Sequence, residues 1–367
     1  MKLPENVLVA VGSSRHEICS IGAFARAEAS ALEKNFKKVE ILEPNQRGQY
    51  PHSQISIIPE VVFFHAPALT DRKYPWNVFR SFFSLKKMFP KACFIPIIHE
   101  FSEAPLHWKG RQLLILKMSN AAIVNTLADF IALQPWHKKI LRSHLAPTLF
   151  WPELLNLSSL DEMKIFYEAL RATLSSQHPL LEKEKWILYP GLLTQDKGLE
   201  LLLRISRFLN KKIKLILMGA VGPKQKDKKY AKHIVSELQK VLGDSIYFLE
   251  APSDTLFKQF LFAADLVVLP YNNGVSERRS SFLSAMSCGA NGWTTIGTLS
   301  SPLCLDQTGV YSVNKEATDS VVFESIQQAL NENPQEVFLK KQKNLNWATQ
   351  KSWENRVHDI KKFLLNL

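Results

Sequence analysis

The chain of 367 residues holds only four cysteines, and no two of them form a Cys-x-x-Cys pair. Cys19, Cys93, Cys288 and Cys304 are scattered, which excludes the ligand spacing of a zinc module and a disulfide framework and points to a reduced, cytosolic setting. No apolar run approaches the length that a membrane-spanning helix requires. The opening residues, Met1 to Ala10, contain a short apolar run without a cleavage-like site, and read as a first strand rather than a secretory signal. Gly-x-Gly-x-x-Gly and Gly-Lys-Ser/Thr are both missing, so a dehydrogenase or a nucleotide hydrolase lacks its carrier motif. An Asp-x-Asp pair that would hold a divalent metal beside a diphosphate is missing too, and positive side chains would have to replace the metal.

Acidic residues are in deficit. Against 46 Lys and Arg stand 34 Asp and Glu, a net charge of +12. The first 150 residues carry 19 basic and 11 acidic side chains, the remainder 27 and 23. A basic first half could meet an anionic membrane surface, an anionic acceptor or nucleic acid. The lysines come in dispersed pairs (Lys37-Lys38, Lys86-Lys87, Lys138-Lys139) without a nucleic-acid-binding motif, so no nucleic-acid partner is expected. Scattered, solvated lysines account for the same pattern. The apolar share of 46% and charged share of 22% are those of a globular protein long enough for two domains.

Short β-branched runs alternate with helical patterns, as in parallel sheets built from βαβ units. In the first half the strands are expected at Asn6–Val11, Val39–Leu42, Val61–Phe64, Phe94–Ile98 and Ala121–Asn125, with an alanine-rich helix at Ala23–Asn35. Residues 151–184 hold no strand-like run, contain a helix near Ser159–Leu174, and read as the passage between domains. The pattern restarts at Trp186–Tyr189, Lys214–Met218, Ile246–Leu249, Leu266–Leu269, Trp293–Ile296 and Val310–Val313. Helices are expected at Gly198–Leu209, Tyr230–Leu242, Ser253–Ala263 and Ser320–Leu330, and an aromatic, basic tail, 346–367, reads as helical. Two doubly wound α/β domains follow, 1–160 with the tail and 161–345, with a cleft where ligands would meet the carboxyl ends of the strands.

The segment Gly274-Val-Ser-Glu-Arg-Arg-Ser-Ser-Phe-Leu-Ser-Ala-Met-Ser-Cys-Gly289 follows the apolar run Ala264–Tyr271. Ser276 or Ser280 is expected to cap a helix here, with Arg278 and Arg279 in its first turn. Cations there oppose the helix dipole, which implies an anionic partner such as phosphate, unless the helix is an ordinary solvated one. Tyr189-Pro-Gly-Leu-Leu-Thr-Gln-Asp-Lys-Gly198 joins a strand to a helix. Gly191 would let a ligand approach the backbone, and Lys197 would bring a charge to the helix start. Both segments follow strands of one domain and can reach one diphosphate. Gly219, after another strand, could admit a base or ribose. In the first half His99-Glu100 ends a strand and could transfer protons or bind a sugar hydroxyl; a structural histidine is the alternative. The loop from Gly12 to Gly22 also joins a strand to a helix, and His65 ends a strand as well.

These elements together resemble retaining glycosyltransferases of family 4, which have the GT-B fold. Tyr189–Gly198 is similar to that family's Gly-Arg-Leu…Lys-Gly loop, Ala263–Pro270 to the strand before its donor helix, and Ser284–Gly289 to its Glu-Ala-Met-Ala-x-Gly segment. Asn273–Phe282 nearly reproduces the Asp-Gly-Val-Ser-x-Arg-Arg-Ser-Ser-Leu of one branch, and His99-Glu100-Phe101 its His-Glu-Phe. The resemblance implies transfer of a sugar from a nucleotide-diphosphate donor with retention and without metal or other cofactor. Lys197 and Arg278, joined by Arg279, would hold the diphosphate, with N–H groups of Ser280 and Ser281, and His99 would contact the sugar. The C-terminal helix would cross back onto the first domain. Ser276 and Ser284 stand where most members carry the two glutamates of Glu-x₇-Glu, Leu192 where they carry arginine, and Glu277 could substitute for the first glutamate. The expected function is therefore a glycosyltransferase using UDP-sugar to build a cell-envelope or surface glycan. Its acceptor would be a glycan or lipid-linked molecule at the inner face of the cytoplasmic membrane. A nucleotide-sugar epimerase on the same fold, or a non-catalytic nucleotide-sugar-binding protein, is the alternative.

Overall fold

A computed structural model describes residues 2–12, 20–44, 49–51, 55–66, 76–99, 101–102, 104, 106–144, 146–147, 149, 151–181, 185–209, 211–222 and 225–367. The chain divides into two compact units, Met1–Thr148 with Lys351–Leu367, and Leu149–Gln350.

The first unit runs β1 (Asn6–Val11), α1 (Ser20–Glu33), β2 (Lys38–Leu42), β3 (Val61–Ala66), α2 (Asn77–Met88), β4 (Cys93–Ile98), α3 (Leu106–Lys117), β5 (Ala122–Val124), α4 (Leu127–Leu133) and β6 (Ile140–Arg142). Its strands form a parallel sheet in the order β2-β1-β3-β4-β5-β6. Continuous apolar runs such as Val61–Phe64 suit a sheet covered on both faces. Val7, Val9, Phe63 and Ile95 pack against Ala25, Ala29 and Leu32 of α1 and against Val357, Ile360 and Leu364 of the C-terminal helix, Trp353–Leu365. The alternate residues Leu8, Phe64 and Phe94 meet Val78, Phe82 and Leu85 of α2 and Ile115 and Leu116 of α3.

The second unit continues with α5 (Leu160–Gln177), β7 (Lys185–Pro190), α6 (Leu199–Ser206), β8 (Ile213–Gly219), α7 (Gln225–Leu242), β9 (Ile246–Glu250), α8 (Asp254–Ala263), β10 (Leu266–Leu269), α9 (Ser280–Ser287), β11 (Gly292–Ile296), α10 (Pro302–Leu305), β12 (Tyr311–Asn314), α11 (Asp319–Leu330) and α12 (Pro334–Thr349). Its parallel sheet has the order β12-β11-β10-β7-β8-β9. That is the order of dinucleotide-binding sheets, whose switch point falls between β7 and β10. Among the described residues, no helix is long and apolar enough to cross a membrane.

Two expectations shift. Residues 151–177 do not merely link the domains, because Trp151, Phe166 and Phe262 form one aromatic cluster inside the second unit. The tail 346–367 is not one helix. It breaks after Thr349, and Ser352 starts a new helix by accepting the Asn355 N–H on its hydroxyl at 3.2 Å.

The C-terminal helix is fastened through a fully buried guanidinium. Arg356 donates from Nε to Glu28 Oε1 of α1 at 2.6 Å, and from one terminal nitrogen to Asn125 Oδ1 at 3.2 Å and the His144 carbonyl at 2.7 Å. Burial pushes the Glu28 carboxyl up, but Arg356 and His65 more than offset this and hold it at about 2. Removing one partner of such a pair strands the other charge. Arg356→Ala is therefore expected to cost about 3–5 kcal/mol, read by urea unfolding at neutral pH. A carboxyl depressed on folding adds stability above its unfolded value near 4.5, and that stability is lost as pH falls toward 2. The double variant Glu28→Gln, Arg356→Met should accordingly show a flatter acid-unfolding curve than the parent between pH 5 and 2.

Candidate functional site

The switch point of the second sheet brings two loops together. The loop after β7 runs from Gly191 to Gly198, and the loop after β10 from Pro270 to Arg279. Gly198 has φ 74°, and a Cβ there would lie 1.6 Å from the Pro270 carbonyl oxygen, so the first loop abuts the second as only glycine permits. Asn272 Nδ2 donates to the Gln195 carbonyl at 2.8 Å and ties the loops a second time. From β11 the Thr294 and Thr295 hydroxyls donate to the carbonyls of Leu269 and Tyr271 at 2.9 and 2.6 Å. Leu299 and Ser301 N–H groups donate to the carbonyls of Asn273 and Val275, each at 2.8 Å. The loop after β10 is thus held along its length by its neighbour strand and the turn that follows.

The cations converge on one carboxylate. Lys197 Nζ lies 3.6 Å and an Arg279 terminal nitrogen 3.8 Å from Asp196 Oδ2. Both cations also stand over the buried Tyr271 ring, at 5.9 and 4.9 Å from its centre. Burial pushes the Asp196 carboxyl up, while Lys197, the Thr194 hydroxyl bonded to it at 2.7 Å, and Arg279 prevail and hold it below its usual value. Asp196 and Tyr271 carried no signal as site residues in the sequence. Their only clue is that each adjoins a residue that did.

The start of α9 differs from the expectation. The helix begins at Ser280 with Arg279 at its cap position and no side-chain cap. Ser276 lies outside the helix and buried, because a turn from its carbonyl to the Arg279 N–H, 3.0 Å, intervenes. Neither Ser276 nor Ser280 caps, and Arg278 and Arg279 precede the first turn rather than occupying it. Intrahelical bonding starts with Leu283 N–H to the Arg279 carbonyl, so the earlier N–H groups of the exposed Ser280 and of Ser281 lie at the helix mouth. The Ser281 hydroxyl is shared with the Tyr271 hydroxyl at 2.7 Å. Glu277 and Ser284 are buried, and one terminal nitrogen of Arg278 is buried as well.

Beside this lies a shallower hollow. A Cβ on Gly219 would come 1.9 Å from the Gly191 carbonyl oxygen, so the ends of β7 and β8 touch through bare backbone. Gly219 also accepts the N–H of Ala251, which has φ 43° and is the one non-glycine residue with positive φ among the described residues. Strain of this kind concentrates at ligand sites. An open hollow of about 400 Å³ adjoins, lined by Leu193, Val221, Phe248, Lys228, Lys232 and Glu250.

In the first unit the expected residues fall otherwise. Glu100 lies outside the described residues, as does most of the loop between Gly12 and Gly22. Gly12 backs onto the His65 carbonyl and accepts no side chain there, and Gly22 is buried inside α1 rather than in a loop. His99 is buried with both ring nitrogens turned to neighbours, Nε2 at 3.3 Å from His65 Nδ1 and Nδ1 at 3.5 Å from Asn125 Nδ2. His65 Nε2 is 2.9 Å from Glu28 Oε2, and neither atom has another hydrogen-bond partner. Carboxylate accepts only and guanidinium donates only. Asn125 turns its oxygen to Arg356 and its amide nitrogen to His99, His99 Nε2 faces His65 Nδ1, and His65 Nε2 lies at ion-pair distance from Glu28. His99 is thus buried between His65 and Asn125. Among the described residues, no three His, Cys, Asp or Glu converge as metal ligands would.

No protein-family model and no curated protein sequence matches the chain. Solved structures match it over nearly its whole length. A sucrose-phosphate synthase from Thermosynechococcus elongatus superposes with a TM-score of 0.73 at 15% identity, covering 99% of this chain and 98% of the other. The Anabaena protein HepE, in complex with UDP and glucose, gives 0.67 at 13%, covering 98% and 100%. WaaG, a glycosyltransferase involved in lipopolysaccharide biosynthesis, gives 0.64 at 12%, covering 97% and 99%. With its two parallel, helix-covered sheets, the chain has the two-domain Rossmann-like GT-B fold.

The cluster around Asp196 makes a prediction about anions. Asp196 is exposed and its pairs are weak, so Asp196→Asn should remove the carboxylate from both cations at little cost in melting temperature. Affinity for inorganic pyrophosphate, read by titration calorimetry, is expected to rise up to about fivefold. Unchanged or weaker binding would show that the carboxylate does not occupy the anion's place.

Proposed function

We propose that this protein is a glycosyltransferase that moves a sugar from a nucleotide-diphosphate donor, with UDP-sugar favoured over GDP-sugar, to a cell-envelope or surface glycan. The observation that carries the reading is the convergence of Lys197 and Arg279 at the switch point of a sheet with dinucleotide-binding order. Two cations and a helix mouth at one place suit a diphosphate, and Asp196 holds those cations in its absence. Gly191 and Gly219 leave room for close approach to the backbone, and the adjoining hollow offers apolar and polar groups to a base and ribose. As the glycosidic bond to the donor breaks, charge grows on the departing diphosphate. Lys197, Arg278, Arg279 and the N–H groups of Ser280 and Ser281 are preorganised to stabilise it, which is the work a metal would otherwise do. Retention of anomeric configuration and independence of metal belong to this proposal and rest on the family resemblance. So do the role of Glu277 in place of the first glutamate and the contact of His99 with the sugar; Glu100, beside His99, is proposed to share in proton transfer or to bind a sugar hydroxyl.

The similar structures support the donor class: HepE was solved with UDP and glucose, and WaaG acts in lipopolysaccharide biosynthesis. A lipid-linked or otherwise anionic acceptor at the cytoplasmic membrane surface agrees with the basic first half of the chain.

The test is nucleotide binding. Calorimetry should show UDP and a UDP-sugar binding, with Lys197→Ala and Arg279→Ala each weakening affinity by about tenfold to a hundredfold while the melting temperature of the free protein holds. A protein that binds no nucleotide or nucleotide-sugar in a broad panel, or variants that bind as the parent does, would overturn the reading.

A further inference from the structure

The first unit carries a surface that neither its core nor the circuit around Glu28 uses. On α2 the outward stripe is Trp76, Arg80, Phe83 and Lys87, spaced four, three and four residues apart as one helix face requires. Trp76 and Phe83 are 46% and 45% exposed although both are large and apolar. Phe79 joins them, 6.1 Å from Trp76 and 6.3 Å from Phe83 between ring centres. The outward stripe of α3 is Leu106, Leu114 and Lys117, with Leu106 85% exposed. The two stripes adjoin, since α2 packs on α3 and the Arg111 guanidinium of α3 lies 4.6 Å from the Trp76 ring centre.

Charge on this pair of helices has one sign. Neither α2 nor α3 contains Asp or Glu, while together they hold Arg80, Lys86, Lys87, Lys109, Arg111 and Lys117. Two of these serve the fold: Lys86 donates to the Met118 carbonyl and Lys109 to the Ser102 carbonyl. Arg80, Lys87 and Lys117 point outward without such duties. A soluble polyanion would need the cations but not exposed tryptophan, phenylalanine and leucine. A neutral protein partner would need the apolar groups but not an acid-free rim. Aromatic and leucine side chains interleaved with Lys and Arg fit an anionic lipid interface, where rings enter the headgroup boundary and cations meet phosphates.

We propose that the outer face of α2 and α3 docks on an anionic phospholipid surface, with Trp76, Phe83 and Leu106 entering the headgroup boundary and Arg80, Lys87 and Lys117 lying against lipid phosphates. This deepens the proposed function by naming where the protein meets a membrane that carries its acceptor, and it rests on that reading for the acceptor alone. Vesicle binding needs neither nucleotide nor acceptor, so the two fail separately.

The experiment is co-sedimentation of the full chain with vesicles of phosphatidylglycerol and phosphatidylcholine in equal parts, against phosphatidylcholine alone. Binding is expected only to the anionic vesicles. Arg80→Gln, Lys87→Gln and Lys117→Gln should each weaken it by about fivefold. Trp76→Ser and Phe83→Ser, which leave the charge unchanged, should each weaken it by about tenfold. Melting temperatures and nucleotide affinities of the variants check that fold and donor site are intact. No binding, or equal binding to neutral vesicles, would overturn the proposal. Binding that survives Trp76→Ser and Phe83→Ser and is matched by heparin would also overturn it, in favour of a soluble polyanion. Vesicle binding as expected, with no nucleotide bound, would leave this surface standing and remove the donor reading instead.

Discussion

Burying a guanidinium with a carboxylate costs several kcal/mol of desolvation per ion, and the first unit does this where Arg356 meets Glu28. The pair is tolerable because two of the three guanidinium nitrogens reach a carboxylate, an amide and a carbonyl, and the carboxylate also faces His65, while the third nitrogen is buried without a hydrogen bond. Between those two ends stand Asn125, His99 and His65. Residues at or just beyond the carboxyl ends of β3, β4 and β5 are thereby locked to α1 and to the C-terminal helix. The edge of the sheet from which the loops emerge has one arrangement for this reason.

The second unit reaches a defined edge by other means. Its loops are set by backbone contact, with Gly198 against Pro270 and Gly219 against Gly191, and by hydroxyls of β11 bonded to carbonyls of the β10 loop. The Asp196 carboxylate is left toward water. An ion pair in that setting is worth little, so Asp196 can hold Lys197 and Arg279 in place without holding them tightly. A dianionic ligand with several acceptor oxygens competes well against a single carboxylate with two. The difference between the units is one of exchangeability: the buried circuit cannot lose a single charged member without a large cost in stability, whereas the exposed Asp196 carboxylate can be traded for a ligand.

The strands were legible because each is a β-branched or aromatic run covered on both faces, and most lie within a residue or two of where the runs fall. The short β6, Ile140–Arg142, was not, since three half-exposed residues form no pattern. Nor was the break at Gln350–Ser352, because the residues on both sides favour helix and only the Ser352 cap interrupts them. In the loops after β7 and β10, Lys197 with Gly198 and the Arg278-Arg279 pair stood out from their spacing after strands, and the fold brings Lys197 and Arg279 to one carboxylate. Asp196 and Tyr271 did not, because a carboxylate beside a lysine and an aromatic after a strand are ordinary until the fold brings Arg279 to both. The circuit of Glu28, His65, His99, Asn125 and Arg356 spans 328 positions of chain from Glu28 to Arg356. No local pattern can show that, nor that His99 is buried between His65 and Asn125.

The serines at 276 and 284 bear on what such a donor site would select. The two loops carry three cations, Lys197, Arg278 and Arg279, and two carboxylates, Asp196 and Glu277, a surplus of one positive charge. Glutamates at 276 and 284, as the family resemblance would place them, would turn that surplus into a deficit of one. Both positions are buried, where an ionised carboxylate needs a partner to be stable, and serine needs only a single hydrogen bond. The serines therefore raise the attraction for the diphosphate while removing the carboxylates that would fix sugar and ribose hydroxyls. On the proposed function, the donor is held chiefly by its charged centre, and discrimination among sugars passes to Glu277 and to groups outside this loop. On that reading charge decides whether the nucleotide binds, and Glu277 with groups outside the loop decides which sugar it carries.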